Sequence, residues 1–143
     1  MFLEKPELKT VGVDEIINRI INDDNTIVTE IIAENIDLMS TYLFQYYDTD
    51  QIFSAEGDER SLTLLKHLKG LVIHDIYIRR TKSVNEAAKV RADEALLWLE
   101  KVSSGKIKPD LPVKTEDTDG DGNPDSPVRF MKLGSRKSYQ NGW

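Results

Sequence analysis

The sequence predicts an all-α protein: a small helical bundle of one short and three long helices, followed by a long extended C-terminal arm. Three long stretches between residues 26 and 103 repeat apolar side chains every three or four positions, which is the helical period. Gly105 ends the last stretch, and four prolines between residues 109 and 127 exclude regular helix beyond it. We therefore divide the chain into a helical bundle domain, 1–105, and an extended arm, 106–143, which we expect to add nothing to the core.

Composition limits the class of protein. The 143 residues suit a single domain, and 39% hydrophobic with 31% charged residues is ordinary for a soluble protein. Absence of cysteine excludes a disulfide framework and thiolate chemistry. No apolar run approaches the ~20 residues that span a membrane, and the N-terminus lacks the apolar core of a signal peptide. We expect an intracellular protein with no membrane partner.

Charge is distributed unevenly along the chain. Residues 1–105 carry 12 basic and 19 acidic side chains, a net charge of −7, whereas residues 106–143 carry a net charge of +1. Because proteins that grip nucleic acid use clustered Lys and Arg, the acidic body argues against that function. Within the arm, an acidic block precedes a basic one that we expect to meet an acidic partner surface. The basic block consists of Arg129, Lys132, Arg136 and Lys137.

The first two helices are predicted over 13–22 and 26–46. The first would bury the face that carries Val13, Ile16, Ile17, Ile20 and Ile21. The second would bury a broad face of Val28, Ile31, Ile32, Ile36, Leu38, Met39, Tyr42, Leu43 and Tyr46. Residues 48–59 are predicted to be a loop, from which Ile52 and Phe53 fold back onto the core. Residues 1–12 are predicted to be an irregular lead-in.

The third and fourth helices are predicted over 60–80 and from Ser83 to Gly105. The third would bury Leu62, Leu65, Leu68, Val72 and Ile76. Gly70 costs a helix about 1 kcal/mol relative to alanine, so it predicts the close approach of another helix. Ser83 and Glu86 form a capping box for the fourth helix, and Gly105 suits its C′ position. Its buried face would be Ala88, Ala92, Ala95, Leu96, Leu99 and Val102.

The arm carries the predicted partner-binding residues. Residues 127–133 partly alternate apolar and basic side chains, which favours a strand or a docking peptide. A lone strand has no partner in a helical body, so we expect another subunit to supply one. A terminal tryptophan is suited to anchoring in a partner's pocket. The predicted anchors are Val128, Phe130, Met131 and Trp143, with Arg129, Lys132, Arg136 and Lys137 as charge partners.

Two helices of the chain carry a shared pattern. The first has the form A-x-x-x-I-D-x-Y-L-x-x-R-Y, and after a loop and an apolar helix comes a helix that ends L-x-x-I-x-x-G. The matching residues are Ala33, Ile36, Asp37, Tyr42, Leu43, Tyr47, Ala92, Ala95, Leu96, Leu99, Val102, Gly105 and Ile107. Over roughly residues 3–110 the chain thereby resembles a Mu-like prophage family whose members look like head-to-tail connector (adaptor) proteins of tailed phages. The spacing from Asp37 to Tyr42 is longer than in the family, Tyr46 stands where the family has arginine, and the usual loop prolines are missing.

This resemblance implies a virion structural protein that assembles in the bacterial host cytoplasm. Such a subunit forms a ring, typically of twelve copies, that docks on the portal protein beneath the capsid. A further neck or tail protein lies below the ring. Arms reach neighbouring copies or the portal, and DNA passes through the channel without sequence-specific binding.

Residues 117–125 contain the sharpest local motif, DTDGDGNPD. Asp117, Asp119 and Asp121 fall at positions 1, 3 and 5 of a calcium loop, and Asp125 falls at position 9. Position 12 is Val128 instead of an acidic residue, and no helices flank the loop. The segment therefore fits either a weak calcium site or a solvated acidic linker. No other cofactor is expected.

Other polar and aromatic groups favour structural roles. His67 and His74 lie seven residues apart, whereas helical metal ligands are usually four apart, so we expect ordinary half-buried histidines. Asp75 follows His74 directly, and successive residues on a helix do not face each other. The aromatic cluster of Tyr42, Phe44, Tyr46 and Tyr47 lacks a basic groove, which favours core packing and a subunit contact over base stacking.

No enzyme motif occurs, since the GxSxG, Walker and HExxH patterns are all missing. We therefore expect no enzymatic activity. Two alternatives to the connector stay open: a calcium-binding module centred on residues 117–125, and a small helical regulator that binds a partner through its arm. A regulator would be absent from phage particles.

Overall fold

A computed structural model describes residues 1–79, 85–117, 119–124 and 126–127. Over these residues the predicted all-α class is confirmed. None of the helices in this part of the chain is long and apolar enough to cross a bilayer. The α-helices are α1 (Asp14–Ile21), α2 (Asn25–Leu43), α3 (Thr49–Ser54), α4 (Leu62–Ile78) and α5 (Glu86–Ser103). Two 3-10 helices (Lys5–Thr10 and Gly57–Glu59) and two strands, β1 (Thr115–Glu116) and β2 (Ser126–Pro127), complete the elements.

Helix α4 is the centre of the bundle and packs against α1, α2 and α5. It buries leucine, valine and isoleucine side chains around its circumference, whereas α5 meets it with the predicted small residues Ala88, Ala92 and Ala95. A Cβ atom added to Gly70 would lie 3.2 Å from the backbone oxygen of Arg91 in α5. This contact confirms the predicted close approach of a second helix at Gly70.

Polar N-caps fix where the helices begin. Asp24 and Asp48 start α2 and α3 by accepting backbone N–H groups, and Ser61 does the same for α4. Helix α5 begins at Glu86 with Asn85 as its N-cap, so the prediction of a start at Ser83 is wrong. Asparagine ranks at least with serine as an N-cap, which explains the later start; Ser83 lies outside the described residues. Gly105 has φ +75°, as the predicted C′ residue requires.

The segment predicted to be a loop, 48–59, contains helix α3 and a 3-10 turn. Asp48 caps α3 by accepting the N–H of Gln51 at 3.0 Å. The predicted return of this segment to the core is confirmed, because Ile52 is buried and Phe53 packs edge-on against Phe2 at 5.1 Å. Helix α2 ends at Leu43, earlier than predicted.

Four side chains predicted to be buried are exposed, and their positions explain why. Leu62 is 78% exposed because it is the first residue of α4, before the helix reaches its neighbours. The other exposed side chains are Val13, Ile16 and Leu38. Helical period places a residue on a face, whereas burial also requires another element to cover that part of the face.

The N-terminal segment belongs to the core, contrary to the predicted irregular lead-in. Phe2, Leu3 and Leu8 are fully buried. Arg60 holds the segment against the start of α4 with two hydrogen bonds to the Glu7 carboxylate, at 2.8 and 3.0 Å, and a third to the carbonyl of Phe2 at 2.8 Å. The hydrogen bonds from Arg60 lower the pKa of Glu7.

Candidate functional site

The first part of the predicted arm is fixed to the helical body. We call residues 106–116 the arm root. Leu111, 7% exposed, lies in the hydrophobic core. The Asp48 N–H donates to the carbonyl of Pro112 at 3.0 Å, and the Lys114 N–H donates to the carbonyl of Tyr46 at 2.9 Å. The expectation that residues beyond Gly105 add nothing to the core is therefore wrong at Leu111, although the domain boundary itself stays a prediction.

A sequence signal for the arm root exists. Ile107, Pro109, Leu111 and Val113 alternate with polar or charged residues up to Asp110, which is the period of a half-buried strand. Tyr47 and Val113 form an antiparallel bridge, as that period implies. Pro109 and Pro112 had suggested an arm without structure of its own. Proline excludes a helix, but it is compatible with an extended strand at the edge of a sheet.

The aromatic cluster at the end of α2 is mainly structural. Tyr46 and Tyr47 are buried, which confirms the predicted core packing and leaves neither ring accessible to bases. Phe44 is 61% exposed. The Lys114 ammonium lies 3.6 Å from the centre of the Phe44 ring, a cation–π contact that ties the arm root to α2.

Strands β1 and β2 form an antiparallel hairpin, with Thr115 opposite Pro127 and Glu116 opposite Ser126. The start of the predicted 127–133 strand therefore finds its partner in the same chain, and the expectation that another subunit must supply one is wrong at Pro127. The predicted partner-binding residues Val128, Arg129, Phe130, Met131, Lys132, Arg136, Lys137 and Trp143 lie outside the described residues.

The hairpin loop brings three of the four calcium candidates together. Carboxylate oxygens of Asp117, Asp119 and Asp121 lie within 4.8 Å of one another, and all three side chains are exposed. Over the part of the chain that is described, this is the one acidic or histidine cluster with metal-site spacing. Asp125 lies outside the described residues. The cluster has the hard oxygen donors that calcium prefers.

Backbone groups already engage these carboxylates. Asp117 accepts the N–H of Gly120 at 2.7 Å and that of Gly122 at 2.8 Å. These two backbone bonds, from Gly122 above all, lower the pKa of Asp117. Asp119 and Asp121 each accept the N–H two residues ahead. The loop therefore closes by its own hydrogen bonds.

The two histidines have separate environments. His67 stacks on Trp98 of α5 with ring centres 4.8 Å apart, and burial lowers the pKa of His67. His74 Nδ1 lies 3.3 Å from Asp75 Oδ1, so the expectation that these neighbours make no contact is wrong. Neither histidine belongs to a metal-binding cluster of described residues.

Asn35, buried among the apolar residues of α2, completes a polar link between helices. Its side-chain amide donates to Asp75 of α4 at 2.8 Å and to the carbonyl of Ile31 at 2.9 Å. A buried amide must find such partners, since leaving it unpaired costs about 1–3 kcal/mol. Sequence reasoning missed this residue, although it interrupts the apolar stripe between Ile32 and Met39.

A cleft of 620 Å³ lies between α3 and the arm root. Its apolar lining comes from Ile52, Ala55, Leu111 and Pro112, and its acidic lining from Glu59 and Asp110. Arg60 also lines the cleft, but its charge is paired with Glu7. We call this feature the α3 cleft. Gln51, Ser54 and Ser61 also line the cleft, so its lining is mixed polar and apolar.

A family model described as Bacteriophage Mu, Gp36 matches residues 3–126. The match starts in the buried N-terminal segment, includes all five α-helices and the arm root, and ends in β2. No curated protein matches the chain, and no solved structure matches it.

Proposed function

The chain belongs to the bacteriophage Mu Gp36 family, and from this membership we propose that it is a head-to-tail connector (adaptor) subunit in the neck of a tailed phage. Membership makes it a phage structural or morphogenesis protein that is associated with the virion. The position in the neck and the contact with the portal are our proposal. The carrying observation is that the family match extends from residue 3 through the whole bundle to the hairpin.

The proposed mechanism is assembly, without catalysis. Helical bodies pack side by side in a ring, of twelve copies in the proposal, against the portal protein. Exposed apolar side chains such as Leu62, Val90 and Leu97 provide surface for contacts between copies. The net charge of −7 on residues 1–105 suits a ring that lets DNA pass without gripping it. The arm beyond the hairpin adds contacts to a neighbouring copy or to the portal.

Binding to the portal tests this proposal. We expect the purified chain to co-sediment with the purified portal protein of the same phage. Replacing the proposed anchors together, Phe130→Ala with Trp143→Ala, should reduce binding at least about tenfold because buried aromatic residues dominate interface energies. Glu30→Gln, on the exposed face of α2, serves as the control and should bind normally. Failure of the full chain to bind the portal would contradict the connector function.

Calcium binding is the second candidate function, favoured by the three carboxylates within 4.8 Å of one another. Because an acidic residue is missing at position 12, we expect a dissociation constant of about 1 mM. Isothermal titration calorimetry of the full chain should show binding that Asp119→Asn with Asp121→Asn abolishes and Glu15→Gln, in α1, leaves unchanged. Absence of heat at millimolar calcium would exclude this function.

A further inference from the structure

We propose that the arm root accepts residues 129–133 of a neighbouring copy as an added antiparallel strand. The acceptor is the backbone edge formed by Val113 and Thr115, which we call the outer edge, and residues 129–133 are the donor segment. The inference deepens the connector function and rests on it, because it names the contact through which copies in the proposed ring join.

The opposite edge of the arm root, which we call the inner edge, is occupied by the segment that enters α3. The Asp48 N–H donates to the carbonyl of Pro112 at 3.0 Å, and the Lys114 N–H donates to the carbonyl of Tyr46 at 2.9 Å. Because backbone groups alternate in direction along a strand, those of Glu116 point to the same side as those of Pro112 and Lys114.

Strand β2 lies on the inner edge as well. Pro127 has no N–H, so it cannot complete a hydrogen-bonded pair with Thr115. The hydrogen-bonded pair of the hairpin is therefore Glu116 with Ser126, and Glu116 faces the inner edge. The inner edge is thus filled along the arm root, by residues 46–48 and then by β2.

The outer edge is open. The N–H and carbonyl groups of Val113 and Thr115 point away from the inner edge, and within the described part of the chain no backbone group bonds to them. Val113 is 38% exposed, and Thr115 is exposed as well. A row of unpaired backbone groups at the edge of a sheet is a template for a further strand.

The donor segment of the same copy cannot fill the outer edge. It follows β2, which lies on the inner edge, and residues 46–48 block its continuation along the arm root. Strands paired to the two edges are about 10 Å apart, twice the spacing of neighbouring strands. Crossing that distance takes about three residues of extended chain, so only part of the segment could still pair. A second copy can present all of it.

The donor segment has the composition of an added strand. Its sequence, RFMKL, contains no proline, glycine or acidic residue. Residues 128–143 carry four basic side chains and no acidic one, whereas residues 1–105 carry a net charge of −7. Opposite charge therefore draws the segment toward the body of another copy.

Charge also selects the register of the added strand. An antiparallel strand that sets Arg129 opposite Glu116 pairs opposite charges, which stabilises a sheet. The same register sets Lys132 opposite Val113. A shift that sets Arg129 opposite Lys114 would place like charges together, which destabilises a sheet.

The contact joins two different surfaces, the outer edge of one copy and the donor segment of the next. Contacts of this head-to-tail kind generate a ring when the rotation from copy to copy closes, and an open chain when it does not. Each copy therefore contacts two others, as a subunit of the proposed ring must.

Engineered disulfides in the full chain test the contact, since the chain has no cysteine. In Val113→Cys with Lys132→Cys, the thiols lie opposite each other in the proposed register, at a Cα separation of about 5.5 Å that suits a disulfide. The control, Val113→Cys with Leu133→Cys, directs the second thiol to the opposite face of the strand.

Oxidation of the concentrated protein should give a ladder of covalent oligomers on a non-reducing gel, because each copy can link to two others. We expect several-fold more of this product in the first variant than in the control. A predominantly monomeric cross-linked product would show pairing within one copy and overturn the proposal. Equal ladders in the two variants, or no product, would overturn it as well.

Exchange of the proposed ion pair gives a second readout without cysteines. Arg129→Glu should weaken self-association of the full chain at least about twofold in sedimentation equilibrium, because it sets two acidic side chains opposite each other. Glu116→Arg with Arg129→Glu restores opposite charges and should restore the association. An unchanged association in Arg129→Glu, or no recovery in the double variant, would contradict the proposed register and overturn the proposal.

Both measurements use the purified chain without the portal protein. If they fail while the chain still binds the portal, this inference falls and the connector function stands. If they succeed while portal binding fails, the contact between copies stands without the connector function.

Discussion

Single residues set how closely the parts of the bundle approach. Gly70 lets Arg91 of α5 come within van der Waals contact of the α4 backbone. Asn35 joins α2 to α4 through Asp75. Glycine in a helix is a sequence signal for close packing, and the prediction at Gly70 was correct. The partner of Asn35 could not be predicted, because pairing of α2 with α4 depends on the tertiary arrangement.

The ion pair between Glu7 and Arg60 yields a pH-dependent prediction. Its hydrogen bonds lower the pKa of Glu7 below 4.5 in the folded protein. The pair therefore stabilises the fold fully above pH 4.5, and this stability is lost as pH falls through the depressed pKa. We expect Glu7→Gln to lower the free energy of unfolding by about 1–2 kcal/mol at pH 7.

Urea denaturation at pH 7 and at successively lower pH measures this effect. The difference between wild type and Glu7→Gln should narrow below pH 4.5. Glu30→Gln, on the exposed face of α2, should change stability by no more than about 0.5 kcal/mol. A difference that stays constant with pH would show that charge on Glu7 does not stabilise the fold.

At the scale of elements, the long helices were predictable and the segments flanking them were not. Apolar period and caps located α2, α4 and α5 to within a few residues, because each element carries its own signal. The 3-10 helix at Lys5–Thr10 and the arm root are held by contacts with distant residues such as Arg60 and Tyr46. Local patterns cannot reveal such partners, although alternation from Ile107 to Val113 did mark the arm root.

Membership of the arm root in the core can be tested by one substitution. Leu111→Ala should lower the free energy of unfolding by about 2–4 kcal/mol, because it removes a buried side chain. Val113→Ala, 38% exposed, is the matched control, and should cost less than about 1 kcal/mol. Chemical denaturation of both variants gives the comparison. Equal, small losses would show that the arm root only rests on the surface.

At the scale of the whole molecule, sequence and structure agree on a helical body, whereas the extended arm beyond residue 127 stays a prediction. The close approach of the Asp117, Asp119 and Asp121 carboxylates could be predicted from the sequence, because the three residues are near neighbours along the chain. The α3 cleft was not predictable, because its walls come from residues 51–61 and 110–112, which are far apart in the sequence. The acidic and apolar residues of its lining meet only because the arm root returns to α3.

The connector function is tested most directly by counting copies in purified phage particles. Quantitative mass spectrometry with isotope-labelled peptides measures this protein and the portal protein in the same sample. We predict a fixed copy number equal to that of the portal protein, because the two rings would meet subunit for subunit. Absence from intact particles, or a copy number in the hundreds like that of a capsid or tail-tube protein, would contradict the connector function.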